Sequence, residues 1–313
     1  MPRSDTRPIF TIFTATFNRA HTLTRLFDSI AAQDFRDFEW VVVDDGSTDD
    51  TEDLISHFAR KADFPVRYFR QAHGHKKVAY NYGVREARGE LMVCWDSDDA
   101  ALPHALRVLH QEWLAIPEAG RDAYVGITGL CAYEDGTIFG DRFRECPYDS
   151  NTVEVTLCDN VKGDKSGFQR IEVLRKFPFP EFIDGLVPEG VVWNAIAREY
   201  KTRYINSALL TYHVEQDSII NSRNTLVKIR SMAEGRCYVM ADFLTHDWRW
   251  FTRAPFGVLK IAANHTRYSW HMWRGGRSAD YPPKSLPGWL LKTLAWPIGF
   301  FAFVVEELRI PET

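Results

Sequence analysis

The spacing of apolar residues changes period repeatedly in the N-terminal third of this chain. Residues 9–16 form an apolar run rich in β-formers, whereas in residues 21–33 Leu23, Leu26, Phe27 and Ile30 recur at helical spacing. The alternation continues. Residues 38–43 read as a buried strand, 49–60 as a helix capped by Thr48, 66–69 as a strand, 78–87 as a helix stopped at Gly89, and 91–95 as another strand. Strands alternating with helices of this length predict βαβ units and a mostly parallel sheet, an α/β fold. Ligands of such sheets bind beyond the carboxyl ends of the strands. Three polar clusters fall there, at residues 14–19, 44–48 and 96–99.

Downstream the pattern loosens. Residues 122–133 suggest a strand and 134–165 are polar and irregular. Residues 188–200 are helical, with Val191, Val192 and Ile196 on one face. Residues 202–214 read as a strand pair or one bent strand, and 225–244 as a helix. Tyr281-Pro282-Pro283 breaks the chain before a strongly apolar segment, 289–305, which holds Lys292 and Pro297 and precedes Glu306-Glu307. No internal repeat is visible. The expected division is a nucleotide-binding, catalytic domain over residues 1–220 and a helical extension over 221–313.

At 313 residues, 45% hydrophobic and 26% charged, the composition is that of a folded chain. The formal net charge of −4 argues against a general nucleic-acid binder, whose phosphate contacts need a basic face. The cysteines (Cys94, Cys131, Cys146, Cys158 and Cys237) are odd in number and lack a C-x-x-C pair, so a disulfide framework or structural zinc is not expected. MPRSDTRPIF has no apolar run, and a cytoplasmic chain is expected.

The chemistry lies in the acids. Asp96-Ser97-Asp98-Asp99 sets carboxylates at one strand terminus. Converging carboxylates repel unless a cation or hydrogen bonds offset them, and hard oxygen ligands suit Mg2+ or Mn2+ bound together with substrate phosphates. The structural alternative is an acidic cap for a helix starting near Pro103. Asp44-Asp45-Gly46-Ser47-Thr48 is either a turn with Asx hydrogen bonds or a carboxylate site for a base or ribose.

Taken together, Phe10-Thr11-Ile12-Phe13-Thr14-Ala15-Thr16-Phe17-Asn18-Arg19, Glu39-Trp40-Val41-Val42-Val43-Asp44-Asp45-Gly46-Ser47-Thr48-Asp49, Asn81-Tyr82-Gly83, Ala87-Arg88-Gly89-Glu90 and Trp95-Asp96-Ser97-Asp98-Asp99 resemble, in order and spacing, the family 2 glycosyltransferases. The resemblance is strong over residues 9–105 and weaker to about 215. It implies a GT-A fold, a nucleotide-diphosphate sugar donor (a UDP-sugar) and inversion at the anomeric carbon. It also implies that Thr14 and Asp45 contact the nucleoside, that Asp96 lies near the ribose or sugar, and that Asp98 and Asp99 hold Mn2+ or Mg2+ against the donor phosphates. Lys76 and Lys77 either meet phosphate or form a solvated helix start.

An inverting displacement needs a general base for the acceptor hydroxyl. The family places an acid shortly before a helix in the second half, where Pro188-Glu189-Gly190 stands. Glu189 is therefore the expected base, with Asp184 as rival; Gly190 departs from the acidic pair common there. Glu189 also suits the first turn of a helix on electrostatic grounds alone. His213, at the end of the late strand, is a candidate metal ligand or a structural histidine.

Residues 289–305 are close to the shortest membrane-spanning length, and Lys292 and Pro297 weaken a spanning assignment. Leu290, Leu291, Leu294, Ile298 and Phe301 fall on one helical face. Trp289 and Trp296 suit a headgroup boundary, and Arg267, Arg274, Arg277 and Lys284 could meet anionic lipid. The expectation is peripheral attachment to the cytoplasmic face of a membrane, serving a glycan or lipid-linked acceptor. A helical cap or dimer interface is the alternative. Two other functions fit less well. A sugar-phosphate nucleotidyltransferase would carry a glycine-rich loop after its first strand, absent from residues 14–19. A non-catalytic glycan- or lipid-binding protein on the same fold would show no turnover.

Overall fold

The computed structural model describes residues 7–213, 225–277 and 280–311. The described chain forms two compact units, one of residues 7–178 and 195–213, the other of 179–194 and 225–311. The boundary expected between residues 220 and 221 lies outside the described residues.

The first unit is built on a nine-stranded mixed sheet. Its strands are β1 (Phe10–Thr16), β2 (Phe38–Asp44), β3 (Val66–Arg70), β4 (Leu91–Cys94), β5 (Ala100–Ala101), β6 (Tyr124–Ala132), β7 (Tyr148–Ser150), β8 (Lys165–Arg170) and β9 (Lys201–Thr211). The order is β3-β2-β1-β4-β8-β6-β9-β5, with β7 paired to β9. Strands β1 to β4, β6 and β9 run one way, and β5, β7 and β8 run against them. The sheet is thus mostly parallel, as the alternating pattern predicts.

Helices α1 (Ala20–Ala31), α2 (Thr51–Lys61), α3 (His75–Glu86), α4 (Ala105–Leu114) and α5 (Ile171–Leu174) flank it. Strand β2 is buried along its whole length, the signature of a strand covered on both faces. Leu23, Leu26, Phe27 and Ile30 of α1 join Phe10, Ile12, Trp40 and Val42 in the core, where Phe27 stacks on Phe58. Helix α3 lies so close to β1 that a Cβ at Gly83 would sit 2.2 Å from the Phe13 ring, so only glycine fits.

Two sequence expectations need correction. Thr48 does not cap α2: its amide donates to Asn18 Oδ1, and it is Asp49 that accepts from the Thr51 amide and hydroxyl. Helix α3 starts at His75, not residue 78, which puts Lys76 and Lys77 in its first turn and buries Lys77.

The second unit contains the start of α6 (Gly190–Ala197) and three long helices: α7 (Leu226–His246), α8 (Pro255–Arg274) and α9 (Leu286–Arg309). Thr225 caps α7 and Ser285 caps α9 through their side chains. Leu226, Ile229, Ala233, Cys237, Tyr268 and Met272 form the core between α7 and α8. Helix α9 packs through Gly288, Leu291, Ala295, Gly299 and Phe303. Leu291 therefore belongs to the packed stripe and not to the exposed face expected for it. At Gly299 a Cβ would come within 2.2 Å of the Ala263 carbonyl of α8, so the two helices meet backbone to backbone.

The C-terminal end of α9 is held by charge. Glu306 accepts from Arg267 Nε at 2.6 Å and lies 3.0 Å from Nε2 of the buried His271, and Glu307 accepts from Arg230 at 2.9 Å. Although burial opposes ionisation, the His271 and Arg267 contacts hold the Glu306 carboxyl below its ordinary range. Arg277 pairs with Glu234 and Arg274 lies 3.6 Å from Glu307. Arg267 and Arg277 thus meet carboxylates of the same unit, whereas the Arg274 side chain is largely exposed and Lys284 is exposed.

Candidate active site

The loops that follow β1, β2, β3 and β4 lie along one edge of the first unit, at the carboxyl ends of four neighbouring parallel strands. They are stitched together. Asn18, in the left-handed region at φ 53°, donates its amide to Ser47 Oγ at 2.9 Å and accepts from the Thr48 amide at 2.8 Å. Asp44 accepts from the Ser47 amide at 2.8 Å in an Asx turn and from the Tyr68 hydroxyl at 2.6 Å. Burial and then the Asp44 carboxylate push the Tyr68 phenol well above its ordinary range.

Thr14 is fully buried. Its hydroxyl donates to the Trp95 carbonyl at 2.9 Å and accepts from Trp40 Nε1 at 3.1 Å. Thr14 thereby ties β1 to the end of β4 and to Trp40 of β2. Asp45 is nearly as buried. Its Oδ1 accepts from Gln71 Nε2 at 2.7 Å and from the Gly74 amide at 2.8 Å, and its Oδ2 lies 2.9 Å from His73 Nδ1. Asp45 thereby fixes the segment leading into α3. Phe17 packs on His73 with ring centroids 4.4 Å apart. Neither Phe17 nor His73 was singled out by the sequence, although both immediately follow recognised strands.

Residues 96–99 form a tight acidic turn. The Asp99 amide donates to the Asp96 carbonyl at 3.0 Å, and the Asp96 amide donates to Asp99 Oδ2 at 2.7 Å. Helix α4 begins at Ala105 with His104 before it, so these acids do not cap it. Lys76 Nζ reaches Asp96 Oδ2 at 2.9 Å, which brings two of the expected donor-binding residues into contact and leaves Lys76 more than a solvated helix start. Desolvation, reinforced by the charges of Asp96 and Asp98, pushes the Asp99 carboxyl up to about 8. Arg25 of α1 donates to the Asp98 carbonyl and fixes the backbone there.

Strand β5 pairs antiparallel with the end of β9, Ala100 opposite Thr211, and so carries the acidic turn to the neighbourhood of Tyr212 and His213. His213 Nδ1 lies 3.1 Å from Glu134 Oε1, while its Nε2 is buried without a hydrogen-bond partner among the described residues. Asp98, Asp99 and His213 thus lie at the same strand ends. Among the described residues, however, no three His, Cys, Asp or Glu side chains are close enough to hold a metal by themselves.

The two base candidates lie in the second unit. Glu189 is exposed immediately before α6 and accepts from Trp193 Nε1 at 3.2 Å. Asp184 is exposed in the preceding turn.

Residues 11–151 match the glycosyl transferase family 2. Over 224 residues the chain is 28% identical to a GalNAc(5)-diNAcBac-PP-undecaprenol beta-1,3-glucosyltransferase of Campylobacter jejuni, covering 68% of this chain and 67% of that protein. A crystal structure of Staphylococcus aureus TarS 1-349 in complex with UDP-GlcNAc aligns with a TM-score of 0.55 at 15% identity, over 95% of this chain and 92% of that one. A mannosyltransferase from Pyrobaculum calidifontis in complex with GDP-Man and Mn2+ aligns with a TM-score of 0.57 at 18% identity, over 99% of this chain and 89% of the other. At such identities the two structures share the fold with this chain, the GT-A arrangement.

Proposed function

We propose, from the premise that residues 11–151 make this chain a family 2 glycosyltransferase, that it moves a sugar from a UDP-sugar to a hydroxyl acceptor with inversion. The observation that carries this reading is the acidic turn 96–99, whose Asp99 carboxyl is forced toward neutrality by burial and then by the charges of Asp96 and Asp98. Such a cluster is costly to the empty protein and becomes favourable when positive charge arrives.

The residues present fit a divalent cation. Asp98 and Asp99 would hold it, with His213 Nε2 as a further donor. The Glu134 carboxylate fixes the proton of His213 on Nδ1 and leaves the Nε2 lone pair without a protein partner among the described residues. Mg2+ and Mn2+ commonly take few protein ligands and complete their shell with phosphate and water, which suits a turn that does not form a full cage. When bound, Mn2+ or Mg2+ would supply electrostatic stabilisation of the charge gathering on the diphosphate. Lys76, held at Asp96, adds a cation on the same edge.

Glu189 serves as general base, its carboxylate oriented by the Trp193 indole. It takes the proton as the acceptor oxygen bonds to the anomeric carbon and the bond to the diphosphate breaks, releasing UDP. Asp184 remains the rival on position.

The second unit supports attachment to the cytoplasmic face of a membrane and hence a lipid-linked or cell-surface glycan acceptor. Helix α9 is long and apolar enough to cross a membrane by length and composition. Along its outer face, Leu290, Leu294, Ile298 and Phe301 are each 63–69% exposed. Trp289, Trp296 and Lys292 accompany them, with Lys292 over the Trp289 ring. Aromatic and basic residues beside an apolar stripe are the composition of an interfacial helix.

Calorimetric titration with UDP-sugars, with and without Mn2+, tests the donor. Binding that needs Mn2+ and is lost in Asp99→Asn is expected; binding indifferent to EDTA would remove the cation from the reading. Glu189→Gln should retain donor affinity and lose roughly 10²–10⁴ in turnover. Unchanged turnover would transfer the role to Asp184.

A further inference from the structure

The ends of β6 and β9 carry a cluster of rings that the reading above does not use. Beyond Ala132, the last residue of β6, residues 133–139 fold straight back. The Tyr133 amide donates to the Thr137 carbonyl at 2.8 Å and the Phe139 amide to the Cys131 carbonyl at 2.9 Å. Asp135 braces the tip by accepting from the Thr137 amide and hydroxyl. The Tyr212 amide donates to the Ala132 carbonyl at 2.6 Å, which pins the end of β9 to the same place. The side chains then converge. Phe139 and Tyr212 stack with centroids 3.9 Å apart and planes 7° from parallel, and Tyr133 stands edge-on to both, at 5.4 and 5.9 Å.

Core packing explains part of this cluster, because Phe139 and Tyr212 rest against the main core. It does not explain Tyr133, which is 38% exposed. Nor does it explain the polar surroundings, which are of one sign. Burial, then Asp164, Tyr133 and Asp98 in turn, push the Tyr212 phenol up, so two carboxylates stand within electrostatic reach of a hydroxyl that takes no hydrogen bond from the described residues. Asp164 is exposed, and so is Glu134 beside Tyr133. A rim of carboxylates repels phosphate and accepts hydrogen bonds from hydroxyls. The negative face of an aromatic ring attracts C–H groups made positive by neighbouring oxygens. A neutral pyranose, apolar on one face and edged with hydroxyls, satisfies both.

We propose that Tyr133, Phe139 and Tyr212 form a stacking platform for a pyranose ring of the substrate, and that Asp164 accepts from that ring's hydroxyls. The inference rests on the glycosyltransferase reading and adds a sugar subsite to it. Ala100 pairs with Thr211, the residue before Tyr212, so the platform adjoins the acidic turn. Two rings can come to that place, the sugar being transferred and the terminal sugar of the acceptor, and both offer the same chemistry.

Two measurements distinguish them. One is calorimetry of UDP, UDP-glucose, UDP-galactose and UDP-GlcNAc with Mn2+. The other is saturation-transfer NMR of the corresponding methyl β-glycosides in the presence of UDP and Mn2+. Each is made on the full chain, Tyr133→Ala, Tyr212→Leu, Tyr212→Phe and Asp164→Ala. Tyr133→Ala, Tyr212→Leu and Asp164→Ala should each weaken one arm by about three- to tenfold while UDP affinity stays within about twofold. Loss in the UDP-sugar arm assigns the platform to the transferred ring, and loss in the glycoside arm assigns it to the acceptor ring. Tyr212→Phe, which keeps the ring face, should restore binding, and Tyr133→Ala at the exposed tip carries the test if Tyr212→Leu fails to fold. Unchanged sugar binding in Tyr133→Ala, no sugar-dependent signal from the full chain in either arm, or a loss for UDP equal to that for the UDP-sugars would overturn the platform alone. A full chain that binds neither UDP nor any UDP-sugar would overturn it together with the reading beneath it.

Discussion

Asp99 shows how a single carboxyl can be legible in sequence while its energetics are not. A row of acids after an apolar strand is visible in the primary structure, but the degree of desolvation is not. The consequence is a pH dependence of definite sign. The carboxyl ionises near 3.8 in an ordinary setting and near 8 in the fold, so between these values the folded state binds more protons than the unfolded one. Stability therefore falls as pH rises through that window. Asp99→Asn removes the penalised charge and should raise the melting temperature at pH 8, by the equivalent of about 2 kcal/mol after allowance for partial exposure, with little gain at pH 4. Melting curves of both forms at the two pH values, without added metal, decide it. Thr14 shows a second thing that sequence does not give: its hydroxyl bonds Trp40 and Trp95, partners that come together only when β1, β2 and β4 align.

Elements with a clean period were legible, and those without one were not. Strands β1 to β4 and helices α1 to α3 lie where the alternating pattern puts them, give or take a turn. Strand β8 escaped because Lys165-Ser166-Gly167-Phe168-Gln169-Arg170 offers one large apolar residue, its order coming from ladders to β4 and β6 on both sides. Helix α8 escaped because its buried face includes His265, Thr266 and His271, so polarity conceals the stripe. In the second unit Gly299 against Ala263 is, with Gly288 against Leu244, one of two equally tight approaches between helices. Gly299→Val would force α9 from α8 and should cost about 3 kcal/mol or more. Differential scanning calorimetry together with limited proteolysis near residue 280 would register the loss, and an unchanged melting profile would show that the helices can separate at that crossing without penalty.

At the scale of the whole chain, net charge misleads. A formal −4 suggests no attraction to acidic surfaces, yet Lys292 sits over Trp289 on α9 itself and Lys284 is exposed just before it, while Arg267 and Arg277 pair with Glu306 and Glu234. Only the folded arrangement shows which cations are paired within the chain. Cosedimentation with vesicles containing anionic lipid should therefore capture the intact chain, and Leu290→Glu with Leu294→Glu should reduce capture at least tenfold without lowering the melting temperature. Full solubility of the intact chain in the presence of such vesicles would count against the membrane reading.

The knot of Glu306 and Glu307 with Arg230, Arg267 and His271 sets a draught line for α9. With one flank riveted to its neighbours by Gly288 and Gly299 and its stern moored by paired charges, this helix would have to cast off from α7 and α8 before it could cross a bilayer, so the proposed attachment is one in which it rides in the headgroup layer.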